Sequence, residues 1–173
     1  MREGVPPGGG SSYPDFEPHI TLASLHKHSK NDLSKVVKAL GDLSQVCIML
    51  HFESIHFRNE YVAIGVKSAT TSLSNLRDEL HENLHIDSEP NRFSPHLSLA
   101  YIDEKGNQEK NAYVNRLRKL GRLQGTTHVT LDGGGHGLGV SGLWLSHFIG
   151  SEIWIMEWKG IDDHKVLKRL PIG

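Results

Sequence analysis

The feature that most constrains this chain is a five-residue phrase written twice. Pro18-His19-Ile20-Thr21-Leu22 returns as Pro95-His96-Leu97-Ser98-Leu99. A proline cannot donate to a central ladder, and it drives the residue before it toward extended backbone. Each copy therefore reads as the opening of a strand, roughly His19–Ser24 and His96–Ile102. Side chains on a strand alternate between faces. His19 and Thr21 then share one face with Ile20 and Leu22 on the other. His96 and Ser98 share a face in the same way, opposite Leu97 and Leu99. Each strand thus carries one imidazole beside one hydroxyl, anchored by aliphatic residues on its far side.

The rest of the chain supplies elements around these two strands. Residues 1–14, MREGVPPGGGSSYP, are rich in Gly, Pro and Ser and are expected to be a disordered tail. That leaves 15–173 as a single domain, long enough to bury a core. Leu33, Val36, Val37 and Leu40 recur at helical spacing and predict a helix over 31–41. Leu73, Leu76, Leu80 and Leu84 mark a second. A third is predicted over 107–120, with Tyr113, Leu117 and Leu120 inward and a basic outer face. The β-branched and aromatic stretch 46–57, followed by Arg58-Asn59-Glu60 and then 61–67, reads as a hairpin. Further strands are expected at 127–131, 142–148, 153–158 and 166–170, with a Gly-rich loop at 132–139. The order is strand, helix, strands, helix, then strand, helix, strands. It predicts an α+β fold of two similar lobes, each with an antiparallel sheet, and the repeated phrase opens each round.

Composition excludes several classes of function. The formal net charge is −1, so no global basic field draws in a long nucleic acid, whereas a small anion remains a suitable partner. The lone Cys47 rules out an internal disulfide framework and fits a reducing compartment. No apolar run reaches membrane-spanning length, and no signal-peptide core precedes the first motif.

Two imidazoles and two hydroxyls brought to one cleft suit phosphodiester hydrolysis. One histidine takes the proton from attacking water, and the other gives a proton to the departing sugar oxygen. Imidazole suits both roles because its ordinary pKa lies near neutrality. Each transfer contributes about 10²–10⁴-fold. The hydroxyls donate hydrogen bonds to phosphate oxygens and hold the phosphorus between the rings. Which histidine acts as base and which as acid stays open, since the motifs are alike in character.

On these residues the chain resembles the 2H phosphoesterases, a family named for two His-x-Ser/Thr motifs. "FEPHITLAS" and "FSPHLSLAYID" are most similar to the fungal and plant cyclic nucleotide phosphodiesterases, and "EIWIMEWKGIDDHKVLKRLPI" resembles their last strand pair. The resemblance implies a bilobal fold, with two antiparallel sheets and flanking helices around a central cleft. It implies hydrolysis of 2′,3′-cyclic nucleotides to nucleoside 2′-phosphates. It also implies conversion of ADP-ribose 1″,2″-cyclic phosphate, a by-product of tRNA splicing, to ADP-ribose 1″-phosphate. It implies no metal and no cofactor and allows endomembrane association such as the Golgi; a monomer in a cytoplasmic setting is the expectation for this chain. Carried over by position, His19 and His96 are the catalytic pair, and Thr21 and Ser98 bind phosphate. Members of the family begin with a strand and a helix before the first motif. Only the Gly/Pro-rich tail stands there in this chain, so a first lobe short of one strand and one helix is expected.

Other residues compete for attention. His128-Val129-Thr130-Leu131 repeats the pattern without the proline and reads as an ordinary strand histidine. His81-Glu82-Asn83-Leu84-His85 matches H-E-x-x-H, and on a helix both histidines would share a face, as zinc requires. This is the rival enzyme class, a zinc hydrolase. Against it, Ser88 and Asn91 stand where the longer signature needs Gly and His, and a third ligand is only a guess, Glu104 or Glu109. The 133–139 loop has no G-x-x-x-x-G-K-[ST] and reads as a surface loop or cleft lid, in which His136 could touch substrate. Tyr101, by strict alternation, falls on the face opposite His96 and Ser98, among core residues. Phe93 and Trp144 are candidates to stack a base. Arg92 and Lys105 could meet phosphates or simply be solvated. Cys47 reads as a small buried filler. Two further alternatives are a related 2H enzyme trimming RNA 3′ ends and a nucleotide-binding module without turnover.

Overall fold

The computed structural model describes residues 19–24, 32–41, 48–86, 93–102, 106–132, 143–159 and 164–172. Leu33, Val36, Val37 and Leu40 lie on α1 (Asp32–Gly41), with Val36 and Leu40 buried. The leucine series forms one face of α2 (Ser72–Leu84), where Leu73, Leu76 and Leu80 are buried. The third helix, α3 (Asn107–Lys119), buries Val114 and also Lys110, which is 1% exposed. The Lys110 ammonium donates to the carbonyls of Arg58 at 2.9 Å and Asn59 at 2.5 Å. A cation at that depth needs such partners. Leu120, expected to face inward, is 54% exposed instead. It caps the helix C-terminus, and Gly121 turns the chain away at φ 66°.

The expected hairpin is β1 (Ile48–Phe57) and β2 (Tyr61–Ser68), paired antiparallel. Ile48, Leu50 and Phe52 are buried while Met49 and His51 are exposed, the period of a sheet with one wet face. Together with β3 (His96–Tyr101) and β7 (His147–Gly150) the hairpin makes a four-stranded sheet in the order β3-β2-β1-β7. Three short strands, β4 (Leu123–Gln124), β5 (Thr130–Asp132) and β6 (Trp144–Leu145), form a second sheet. The last pair is β8 (Glu152–Trp158) with β9 (His164–Pro171). Every pairing is antiparallel, so the fold is α+β, consistent with the 2H phosphoesterase arrangement.

Two apolar clusters cover the inner face. One joins α1, α2, Ile48, Leu50, Ile153 and Ile172. The other joins Phe52, Val62, Ile64, Val66, Leu97, Ala100, Ile102 and Val114. Ile20 packs against both.

Several expected strands differ. Residues 19–24 are described but form no ladder with other described residues. The strand expected at 127–131 begins only at Thr130, so His128 sits in a bend before it. The strand expected at 142–148 is two, because the Ser146 carbonyl turns to accept from the Phe52 N–H at 2.8 Å. Among the described residues no helix is long and apolar enough to cross a membrane. The tail 1–14, Cys47, Arg92, Glu104, Lys105 and the 133–139 loop with His136 lie outside the described residues.

Candidate active site

The second motif is held from several sides. Phe93 lies under the Arg77 guanidinium, 4.7 Å from ring centroid to carbon, and Arg77 itself pairs with Asp78 at 3.0 Å. Ser94 Oγ accepts from Arg58 at 3.3 Å, and the Pro95 carbonyl accepts from the Val66 N–H at 3.0 Å. The proline thus joins the sheet through the only backbone group it has to offer. His96 then begins β3 with its partner Gly65 on β2. Its Nδ1 lies 2.8 Å from the Ser94 carbonyl. A carbonyl only accepts, so Nδ1 carries the proton and Nε2 is left for chemistry. The ring stacks on Tyr61, centroids 4.9 Å apart and planes within 11°.

Leu97 pairs with Ile64 in the core, so His96 and Ser98 face outward with Gly65 and Ala63. On that face Ala63 and Gly65 are buried and both motif residues are half-buried, so it is partly covered at this point. Beside them His56 crosses β2. A Cβ on Gly65 would stand 2.8 Å from its Cε1 and 2.9 Å from its Nε2. Only glycine leaves room for that ring where it stands, and Nε2 bonds Ser54 Oγ at 3.1 Å. A bulge on β1 opposite Gly65 makes the crossing possible.

Tyr101 departs from strict alternation. The β2–β3 register runs Ala63 to Ser98, then Val62 to Ala100, then Tyr61 to Tyr101. Leu99 is the extra residue, a bulge whose carbonyl accepts from the Tyr113 hydroxyl at 3.2 Å. One inserted residue flips everything after it, so Tyr101 returns to the face of His96 and Ser98. Its ring lies 6.0 Å from that of Tyr61.

The first motif lines a cavity of about 680 Å³. His19, Thr21, Tyr101, Trp154 and Met156 lie along it, together with residues of the first apolar cluster. His96 and Ser98 do not line this cavity. Tyr101 is the residue common to both: it lines the cavity of the first motif and shares the sheet face of the second. Ile20 and Leu22 pack into the core and Thr21 is exposed, so the expected alternation holds in this segment without a strand ladder. Trp154, on β8, was not singled out in the sequence. Its indole donates to Glu152 at 2.6 Å and carries the Arg169 guanidinium 4.0 Å over its ring. Phe93, proposed to stack a base, instead has a face taken by Arg77. Trp144 lies on β6 and does not line the cavity.

Among the described residues the H-E-x-x-H match is not assembled into a metal-ligand group. His81 is buried, and its Nε2 lies 3.4 Å from the Leu22 carbonyl, under the first motif. His85 has left the helix as its left-handed cap, φ 53° and ψ 43°. The two rings therefore lack the shared helical face that zinc needs. Among the described residues no group of three or more His, Cys, Asp or Glu is arranged to hold a metal ion.

Comparison with known proteins agrees with this architecture. The sequence model of the 2′-5′ RNA ligase superfamily matches residues 5–132, a stretch holding both motifs. No curated protein matches the chain. Among solved structures, the crystal structure of TT0787 of Thermus thermophilus superposes with a TM-score of 0.53 at 12% identity, covering 94% of this chain and 82% of that one. At that identity the likeness is one of fold.

Proposed function

The chain belongs to the 2′-5′ RNA ligase superfamily, the 2H phosphoesterases, and from that premise we propose that it hydrolyses 2′,3′-cyclic nucleotides to nucleoside 2′-phosphates. ADP-ribose 1″,2″-cyclic phosphate is a second substrate under the same reading. Membership carries the coarser statement, a phosphodiesterase-type enzyme. The substrates of the finer one are carried by the likeness of FEPHITLAS and FSPHLSLAYID to the cyclic nucleotide phosphodiesterases, and the observation that supports one shared site for the two motifs is the bulge at Leu99. It puts Tyr101 on the face of His96 and Ser98 while Tyr101 also lines the cavity of His19 and Thr21.

In this reading His19 and His96 stand on opposite sides of one phosphorus. One imidazole removes a proton from water as the water oxygen attacks phosphorus. The bond from phosphorus to O3′ breaks, and the other imidazole protonates the departing O3′. Thr21 and Ser98 donate to the non-bridging oxygens, where negative charge grows in the transition state. The Ser94 carbonyl fixes the tautomer of His96 and Tyr61 fixes its ring plane, so this imidazole needs little reorganisation. In this reading the base lies along the larger cavity, where Tyr101, Phe148 and Trp154 supply aromatic surface and Arg169 covers one face of Trp154. In the same reading the substrates are small nucleotides.

The test is product analysis with 2′,3′-cyclic AMP. Turnover to 2′-AMP is expected. A 3′-phosphate product, or no turnover by folded protein, would overturn the reading.

A further inference from the structure

Among the described residues three polar or charged side chains are buried: Arg77, His81 and Lys110. Lys110 is accounted for by the hairpin carbonyls that accept from it. Arg77 and His81 stand one turn apart on α2, each 8% exposed. Residues four apart on a helix lie on one face, roughly 6 Å apart along its axis. Leu73, Leu76 and Leu80 already give α2 its apolar face. A leucine at either polar position would be buried at lower cost.

Each of the two reaches a different motif. His81 Nε2 lies 3.4 Å from the carbonyl of Leu22, the residue after Thr21. A carbonyl only accepts, so Nε2 carries the proton and donates. Residues 19–24 form no ladder with other described residues, and this bond ties their backbone to a helix instead. Nδ1 is then a bare acceptor, buried and with no partner among the described residues. A buried acceptor without a donor costs stability. The bond made by the other nitrogen is what an imidazole at this position provides. Arg77 holds its guanidinium 4.7 Å from the centroid of Phe93, three residues ahead of His96. Asp78 accepts from it at 3.0 Å, so the charge is balanced where it lies. Ile20, Leu22 and Phe93 all pack against the apolar cluster to which α2 belongs. Neither Arg77 nor His81 lines the cavity of the first motif.

We propose that Arg77 and His81 are positioning residues, through which α2 sets the separation of the two motifs. His81 holds the segment that carries His19 and Thr21. Arg77 holds the approach to His96 and Ser98. One helix thus fixes both halves of the site, where a misplacement of about 1 Å can cost about 10²-fold in rate. This rests on the reading that the two motifs act on one phosphorus.

The experiment is peptide-resolved amide hydrogen exchange on the full chain, with steady-state kinetics on 2′,3′-cyclic AMP. His81→Leu removes the donor and keeps the volume, and His81→Gln keeps a donor at similar reach. Arg77→Met keeps the stem and removes the guanidinium. In His81→Leu, exchange at 19–24 is expected to rise about tenfold while 93–98 stays as in the parent, and Arg77→Met should do the reverse. Each should lower kcat about tenfold or more. His81→Gln should recover most of the rate, and the double variant should be little slower than the worse single, since either loss alone already misaligns the pair. Thermal melts establish that the variants fold, and His81→Met replaces His81→Leu if leucine prevents folding. Unchanged exchange at 19–24, or loosening of both segments together with a lower melting midpoint and no rescue by glutamine, would overturn the proposal. Should the parent fail to turn over 2′,3′-cyclic AMP, the hydrolytic reading falls, and the exchange pattern alone decides whether α2 holds the two motifs.

Discussion

The Tyr61 ring lies against the His96 imidazole, nearly parallel at 11° and 4.9 Å between centroids. The same Tyr61 ring approaches Tyr101 at 6.0 Å. The imidazole is thereby fixed in plane by an aromatic neighbour and in tautomer by the Ser94 carbonyl. Tyr61→Ala is expected to lower kcat about tenfold with little change in KM, since an aromatic pair contributes about 1 kcal/mol beyond burial. Tyr61→Phe keeps the ring and should recover most of the rate. Steady-state kinetics on both variants check this. A Phe variant as slow as the Ala variant would mean that the hydroxyl, not the stack, matters.

Gly65 offers a sharper probe of the sheet face that carries His96 and Ser98. An added methyl meets the end of the His56 ring rather than backbone, so the ring can shift. Gly65→Ala should therefore cost under about 1 kcal/mol in urea unfolding. The displaced ring has to move on the face that His96 and Ser98 occupy. A fall in kcat/KM of roughly tenfold is expected from that misplacement. Full activity would show that His56 lies clear of the reacting group.

Lys110 tests how the hairpin is fixed. Removing the ammonium leaves the carbonyls of Arg58 and Asn59 without their donor in a site that is 1% exposed. Lys110→Met is expected to destabilise by about 2–3 kcal/mol in equilibrium denaturation. Arg58 also bonds Ser94 just ahead of the second motif, so kcat should fall as well. A variant as stable as the parent would contradict the role given to Lys110.

The zinc alternative meets its own substitution. His85 is an exposed left-handed cap outside the cavity lining. His85→Ala should leave turnover of 2′,3′-cyclic AMP within about twofold, as expected of a surface change away from the site. Loss of most activity, together with stoichiometric zinc in the purified protein, would favour the H-E-x-x-H reading instead.

The helices and the hairpin were legible because their signals are local. Leucines at helical spacing and alternating apolar residues declare themselves within one element. The pairing of His96 with Ser98 was legible for the same reason, since two residues along a strand restore the face. Tyr101 was not legible. Its direction depends on a bulge at Leu99, which in turn depends on register with β2 and on Tyr113 from α3 satisfying the bulged carbonyl. Period-two reasoning has no means of seeing an inserted residue. Lys110 was missed because charge predicts an outward side chain, and only the hairpin turn supplies the carbonyls that hold it inside. Trp154 was passed over because an aromatic residue on an apolar strand looks like core until the cavity beside it is known.

The central claim is that His19 and His96 act on one phosphorus as a unit. The direct measurement is kcat/KM for 2′,3′-cyclic AMP in His19→Ala, His96→Ala and the double variant. Each single substitution should cost about 10²–10⁴-fold, and the double should cost little more than the worse single, because either half alone has no partner. Losses that multiply in the double variant, or a single variant that retains near-full activity, would contradict the account.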